Sequence, residues 1–296
     1  MSPARARRAV LLTALLFSSG GAAIKACTLT SWQVASFRSG LATLALVALV
    51  PAARRRPDGG TLLVSLAYAA TLILFVSATK LTTAANAIFL QSTAPLWLLL
   101  LGPLLLREPV RARDLVVMAI VAGGMALVLL GDERPQASAP DPLRGNALAL
   151  ASGLAFALLL AGMRWLTART TREPLRRNGG AMPAVLAGNV LACLVALPFA
   201  LPVAGVSGAD LGALLFLGTI QIGLAYALLC AAVPHVPALA VSLLLLLEPA
   251  LNPLWTWMLQ GERPSQLAVA GGALILGATL VQALSARSAP APAGSR

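Results

Sequence analysis

The sequence predicts an all-α integral membrane protein with ten transmembrane helices arranged as two inverted five-helix repeats. Three observations predict it. Apolar residues make up 58% of the chain and charged residues 11%, against about 45–50% and about 25% in soluble domains, and mean hydropathy is +0.85. Runs approaching the roughly 20 apolar residues needed to cross a bilayer core recur along the chain. Finally, the stretches 84–123 and 238–277 align without a gap, 154 residues apart. Pro95 then falls on Pro249, Glu108 on Glu262, Ala119 on Ala273 and Gly123 on Gly277, with further identities at Ala84, Leu90, Leu100 and Leu105.

The spans follow in order. The first, near Ala9 to Thr28, succeeds three arginines; reading it as a cleaved signal peptide would leave nine spans and an unpaired repeat. The second and third lie near Trp32 to Val50 and Thr61 to Thr79. The fourth and fifth, Ala84 to Leu106 and Leu115 to Leu130, flank the charged turn that holds Glu108. A Pro-rich polar connection, 131–142, separates the halves. The sixth and seventh, Leu143 to Met163 and Met182 to Leu201, enclose the other long polar connection, and the eighth runs from Leu211 to Val233. The ninth and tenth, Ala238 to Leu259 and Gln266 to Leu284, repeat the fourth and fifth around the turn with Glu262. Two units result, 9–131 and 143–285, followed by a tail, 286–296, expected to be flexible and cytoplasmic. Because each unit has an odd number of spans, the second enters the membrane from the opposite side, which makes the repeat inverted.

The net charge of +12 fits this topology. With the N-terminus inside, sixteen arginines fall in cytoplasmic segments and only Lys80, Arg134, Arg144 and Arg263 outside. That bias is what the positive-inside rule expects, with both termini cytoplasmic. No folded basic domain is present to bind nucleic acid. Cys27, Cys193 and Cys230 lie singly with no metal or redox spacing and read as small packing residues. No Walker, GxSxG or HExxH motif occurs. No cofactor, metal ligand or catalytic residue is expected.

Ionisable groups in a bilayer interior cost at least about 2.5–3.5 kcal/mol, so they face the bundle interior or water. Glu248 lies about eleven residues into its span, roughly 16 Å deep at 1.5 Å per residue and so near the midplane. It either carries a proton or meets a cationic solute group, or else caps backbone loosened at Pro249. Arg38, deep in the second span, binds an anionic solute group or pairs with a carboxylate such as Glu248. Lys25, close to the outer end of its span, is expected to snorkel to the interface. Gln91 and Trp97 share a face of the fourth span with Ala94, the repeat mate of Glu248, and Asn252 lies one turn after Glu248. Tyr68 and Thr71 on the third span and Gln221 and Tyr226 on the eighth add polar and aromatic wall. The expected substrate-binding set is Glu248, Arg38, Gln91, Asn252, Tyr68, Trp97 and Tyr226.

Further expectations concern packing. Pro95 and Pro249 kink the middles of the fourth and ninth spans. The pairs Ala119/Gly123 and Ala273/Gly277 provide close helix contacts. Trp255 and Trp257 anchor the interface.

The run Lys80-Leu-Thr-Thr-Ala-Ala-Asn-Ala-Ile-Phe-Leu-Gln-Ser-Thr-Ala-Pro95, then Leu104-Leu-Leu-Arg-Glu-Pro109, Leu247-Glu-Pro249 and Gly261-Glu-Arg263, together with Phe37-Arg38, resemble the EamA-type branch of the drug/metabolite transporter superfamily. The first span, with Gly20-Gly21-Ala22-Ala23-Ile24-Lys25, lacks the tryptophan often found before this stretch. The resemblance implies ten helices, a central cavity between inverted repeats and movement of small metabolites. The expected function is a secondary transporter, with export the first guess, of amino acids or related amphipathic solutes across the plasma membrane by alternating access. The alternatives are an integral membrane enzyme or a non-transporting structural or sensory membrane protein. The expected partners are a small solute and the lipid bilayer; proton coupling and a homodimer are left open.

Overall fold

The computed structural model describes all residues except 95, 99–111, 132–134, 173–180, 233–234, 237–243, 246 and 286–296; for 3, 113–114, 164, 167–172 and 282–285 it describes the backbone alone. The described residues form helices and turns, with no β-strand among them. In chain order these are α1 (Pro3–Ser18), α2 (Gly20–Ala26), α3 (Ser31–Leu49), α4 (Gly59–Leu81), α5 (Ala84–Gln91), α6 (Ala112–Leu130), α7 (Pro142–Arg172) and α8 (Ala181–Ala200). There follow α9 (Gly208–Leu215), a π-helical stretch (Phe216–Leu224) that continues into α10 (Ala225–Ala232), then α11 (Leu247–Gln260) and α12 (Gln266–Ser285).

Among the described residues, six stretches are long and apolar enough to cross a membrane: Ala4–Ala26, Ser31–Leu49, Gly59–Leu81, Pro142–Met163, Ala181–Ala200 and Gly208–Ala232. Leu115–Leu130 and Gln266–Val281 are shorter apolar helices. The expected fourth and ninth spans run partly outside the described residues, as do Pro95 and the turn with Glu108.

Several helices start on a side chain that satisfies backbone donors no intrahelical carbonyl reaches. Thr30 and Gln33 form a reciprocal capping box on α3, and Ser207 and Asp210 form another on α9. Asp58 accepts from the Thr61 N–H at 2.8 Å on α4, and Thr83 from the Asn86 N–H at 3.2 Å on α5. In a bilayer such donors have no water to turn to, so these caps fix where each helix begins.

Three expected spans are interrupted. The first breaks between α1 and α2, where the Ser18 and Ser19 hydroxyls donate back to the carbonyls of Leu15 and Leu16 at 2.8 and 2.6 Å. Such back-bonding bends helices, and the two glycines that follow add little helix propensity. The fourth pauses after Gln91, where Ser92 and Thr93 donate to Ile88 and Leu90 carbonyls in the same manner. Gln91 and Trp97 therefore do not share one continuous helical face. The eighth contains the π-helical stretch. Pro253 lies inside α11, and Pro249 lies near the N-terminal limit of its described part, residue 246 before it being outside the described residues.

α4 packs between α7 and α8; α3 lies on α8 and the π stretch; α1 lies between α10 and α11; α6 pairs with α12. The α6–α12 seam corrects the expected small-residue contact. Gly123 and Gly277 have nothing within 4 Å of a Cβ built on them, and Ala119 and Ala273 are exposed. The backbones meet one face over, at Gly124 and Gly271, where a Cβ on Gly124 would lie 2.7 Å from the Gly271 carbonyl and one on Gly271 would lie 2.4 Å from the Gly124 carbonyl. The backbone cannot yield as a side-chain tip would, so overpacking here costs about 1–3 kcal/mol. Gly271→Leu should accordingly lower the thermal midpoint of the purified protein by at least about 3 °C. Gly123→Leu should leave it unchanged, and equal effects of the two would contradict this seam.

Candidate functional site

The helices around α1 and α4 bring polar groups together in two adjacent layers. The first is built on Tyr68, whose ring lies against Gly188 so closely that a Cβ there would come within 2.5 Å of it. Asn189 on α8 donates to the Tyr68 hydroxyl at 3.2 Å and to the Val185 carbonyl at 2.9 Å. The rings of Tyr68 and Tyr226 have centroids 5.6 Å apart at 59°, and Phe17 of α1 meets Tyr226 at 5.2 Å and 58°. These tilted pairs are the geometry that aromatic quadrupoles favour, and they form a continuous aromatic wall.

Two charges border that wall. Arg38 is only 2% exposed, and among the described residues its Nε has no hydrogen-bond partner and it forms no ion pair. Its guanidinium lies within electrostatic reach of both tyrosine hydroxyls. Glu248, at the start of α11, is half-buried, lies within electrostatic reach of Tyr226, and likewise has no partner among the described residues. Arg38 and Glu248 do not pair with each other, which removes direct pairing with Glu248 from the two alternatives for Arg38. Tyr226 stands in electrostatic contact with both. A buried charge without a counter-charge costs several kcal/mol, so this is an arrangement completed by something else.

The second layer lies one turn further along. Asn252 follows Glu248 by four residues on the same face of α11. Gln221 precedes Tyr226 by five residues, which in an α-helix would turn it by about 140° to another face. The wider π turn, with bonds five residues apart, closes most of that gap and returns Gln221 to the side of Tyr226. Both amides press on the α1–α2 break: a Cβ on Gly20 would lie 2.8 Å from Gln221 Nε2, and one on Gly21 would lie 2.3 Å from Asn252 Oδ1. Asn252 is 1% exposed with neither amide atom bonded, and Gln221 is 8% exposed with a free Oε1. A buried amide left unbonded costs about 1–3 kcal/mol per group, so this layer also offers unused bonding capacity.

Of the expected set, the structure thus gathers Arg38, Tyr68, Tyr226 and Glu248, with Asn252 in the adjoining layer. Gln91 is spent on packing: its Nε2 donates to Ser152 Oγ at 2.7 Å, and Ser152 donates to the Thr71 carbonyl at 3.2 Å, tying α5, α7 and α4 together. Trp97 is half-buried with an unpartnered indole N–H, and no ring contact joins it to the cluster. Trp255 is not a simple interfacial anchor, since its indole donates to Ser18 Oγ at 2.9 Å beside the helix break; Trp257 is 50% exposed. Lys25 does not snorkel. It is buried and paired with Glu262 at 3.2 Å. Sequence reasoning passed over Phe17 and Asn189. An asparagine in the middle of an otherwise apolar span was a visible signal; Phe17 carried none. Among the described residues no cluster of His, Cys, Asp and Glu side chains has the grouping to hold a metal ion.

Comparison with known proteins is consistent with this architecture. A solved crystal structure of another protein aligns over 95% of this chain and 97% of its own, with a TM-score of 0.62 and 21% identity, a likeness of fold. The uncharacterized protein PA1977 of Pseudomonas aeruginosa is 32% identical over 227 residues, covering 73% of this chain and 74% of its own. The EamA-like transporter family matches residues 8–130 and again 143–283. This chain belongs to the EamA-like transporter family, within the drug/metabolite transporter superfamily.

Proposed function

We propose that this protein is a secondary transporter of small zwitterionic, amphipathic solutes of the amino-acid class. The observation that carries this reading is a pair of charges without a partner among the described residues, buried Arg38 and half-buried Glu248, each within electrostatic reach of Tyr226. A solute bearing a carboxylate and an ammonium supplies both missing counter-charges, and its apolar side chain meets the wall of Phe17, Tyr68 and Tyr226. Asn252 and Gln221 take up its remaining polar atoms. Arg38 suits the carboxylate because its planar fork matches two oxygens at once.

The family match to 8–130 and 143–283 supports two units that rock about this site, with the plasma membrane as their setting and cytoplasmic termini from the arginine bias. Export is the direction favoured, and Glu248 is the group that would carry a coupled proton. Movement of solute down its own gradient needs no such group.

A ligand panel tests the reading. The purified protein is heated with apolar amino acids, with the amines obtained by removing their carboxylate, and with the acids obtained by removing their amine. The amino acids should raise the thermal midpoint, since a ligand at 100 times its Kd adds about 2.7 kcal/mol to stability. The single-charge analogues should raise it much less. Equal shifts by amines and amino acids would remove Arg38 from the site, and no shift by any of the panel would remove the substrate class.

A further inference from the structure

Beyond the two amide and charge layers, the same two elements, α2 and the end of α11, meet again at the end of the bundle that the charge bias assigns to the exterior. Lys25, with its side chain 5% exposed, places its Nζ 3.2 Å from Oε2 of Glu262, whose side chain is 1% exposed. The ammonium also donates to the Thr82 carbonyl at 2.6 Å and to the Ser138 carbonyl. The other carboxylate oxygen, Oε1, accepts from the Ala84 N–H at 2.5 Å, at the positive end of α5. Around this pair, Lys80 donates to the Cys27 carbonyl, the Thr28 N–H donates to Asp210 at 2.6 Å, and Gln260 donates to the Ala22 carbonyl at 3.0 Å. Every turn of α2 is thus held by a neighbour.

We propose that the Lys25–Glu262 pair is a latch that closes this end of the solute path, and that it must part for the site to open there. The proposal rests on the transporter reading above. Its physical basis is a near balance. In the closed state the two charges are dry, and their attraction and hydrogen bonds offset the lost hydration; in the parted state water returns that hydration. An apolar plug would have to expose its surface to open, whereas a buried ion pair exchanges one satisfied state for another. The linkage to the site is covalent on both sides. α2 carries Lys25 and the glycines under Gln221 and Asn252, and the helix bearing Glu248 and Asn252 ends two residues before Glu262.

The test needs no known solute. In full-length protein with the three cysteines replaced by serine, Asn252→Cys serves as a reporter for a membrane-impermeant thiol reagent added from the Lys25 side of oriented proteoliposomes. Breaking the pair with Glu262→Gln, and separately with Lys25→Met, should speed labelling at least about tenfold, because the contact that joins α2 to the segment after α11 is lost in the closed state. A Lys25→Cys/Glu262→Cys protein, oxidised to the disulfide, should resist labelling until a reductant is added. Labelling at the unmodified rate in both single variants, or undiminished labelling of the cross-linked protein, would overturn the latch. A latch that gates labelling in a protein that moves no solute would instead count against the transporter reading alone.

Discussion

Arg38→Gln is expected to raise the apparent Kd for the solute by at least about 30-fold and at the same time to make the empty protein more stable. Both effects come from one fact: the guanidinium is buried, unbonded at Nε and without a counter-ion. Losing one partner of a buried charge pair costs about 2–5 kcal/mol of binding, and each 1.4 kcal/mol is about tenfold in affinity. In the empty protein the same charge is a burden, so a neutral side chain of similar length relieves desolvation. Binding sites are where function is retained at the expense of stability. A structural arginine would behave in the opposite way, with loss of the thermal midpoint accompanying loss of binding. Measuring both quantities on one preparation separates the two roles, and a fall in midpoint with unchanged affinity would refute the binding role.

The second large effect is expected at Glu248. Glu248→Gln should abolish uptake of zwitterions in counterflow, while binding of carboxylates that lack an amine is kept within a few-fold. Glutamine preserves the shape and the hydrogen-bonding capacity of the side chain but removes the charge that an ammonium needs. Because Arg38 does not pair with Glu248, neutralising Glu248 leaves the Arg38 half of the site intact. Loss of amine-free carboxylates to the same degree as zwitterions would mean that Glu248 holds the site together rather than reading the amine. A double Arg38→Gln/Glu248→Gln protein should bind no member of the panel yet unfold at a higher temperature than the unmodified protein.

Much of this site was legible in the sequence for a physical reason. Ionisable and tyrosine side chains within apolar spans are rare and costly, so Arg38, Glu248, Tyr68 and Tyr226 stand out wherever a span is drawn around them. The interruptions were harder to see. Ser18, Ser19, Ser92 and Thr93 are ordinary residues in a hydropathy profile, and Ser65 and Thr71 make similar bonds back to preceding carbonyls inside the unbroken α4, so residue type alone does not locate the breaks. The π-helical stretch depends on packing of Gly218 and Gly223 against α3 and shifts Gln221 to a face that a regular helical count does not give it. The seam uses Gly124, one position after Gly123, and Gly271, two before Ala273, and each residue rotates a helix face by about 100°. Lys25 and Glu262 are separated by most of the chain, and nothing local in either segment indicates that they meet. The count of ten spans rests on segments that include 99–111 and 237–243, outside the described residues.

Counterflow in proteoliposomes tests the central claim most directly. Vesicles containing the protein are loaded with an unlabelled apolar amino acid, and the same compound, labelled, is supplied outside at trace concentration. The label should accumulate unchanged inside vesicles with the unmodified protein, and should not accumulate when folded Arg38→Gln or Glu248→Gln protein replaces it. Absence of accumulation with folded, unmodified protein across the zwitterionic panel, or accumulation undiminished in either charge variant, would contradict a zwitterion site formed by Arg38 and Glu248.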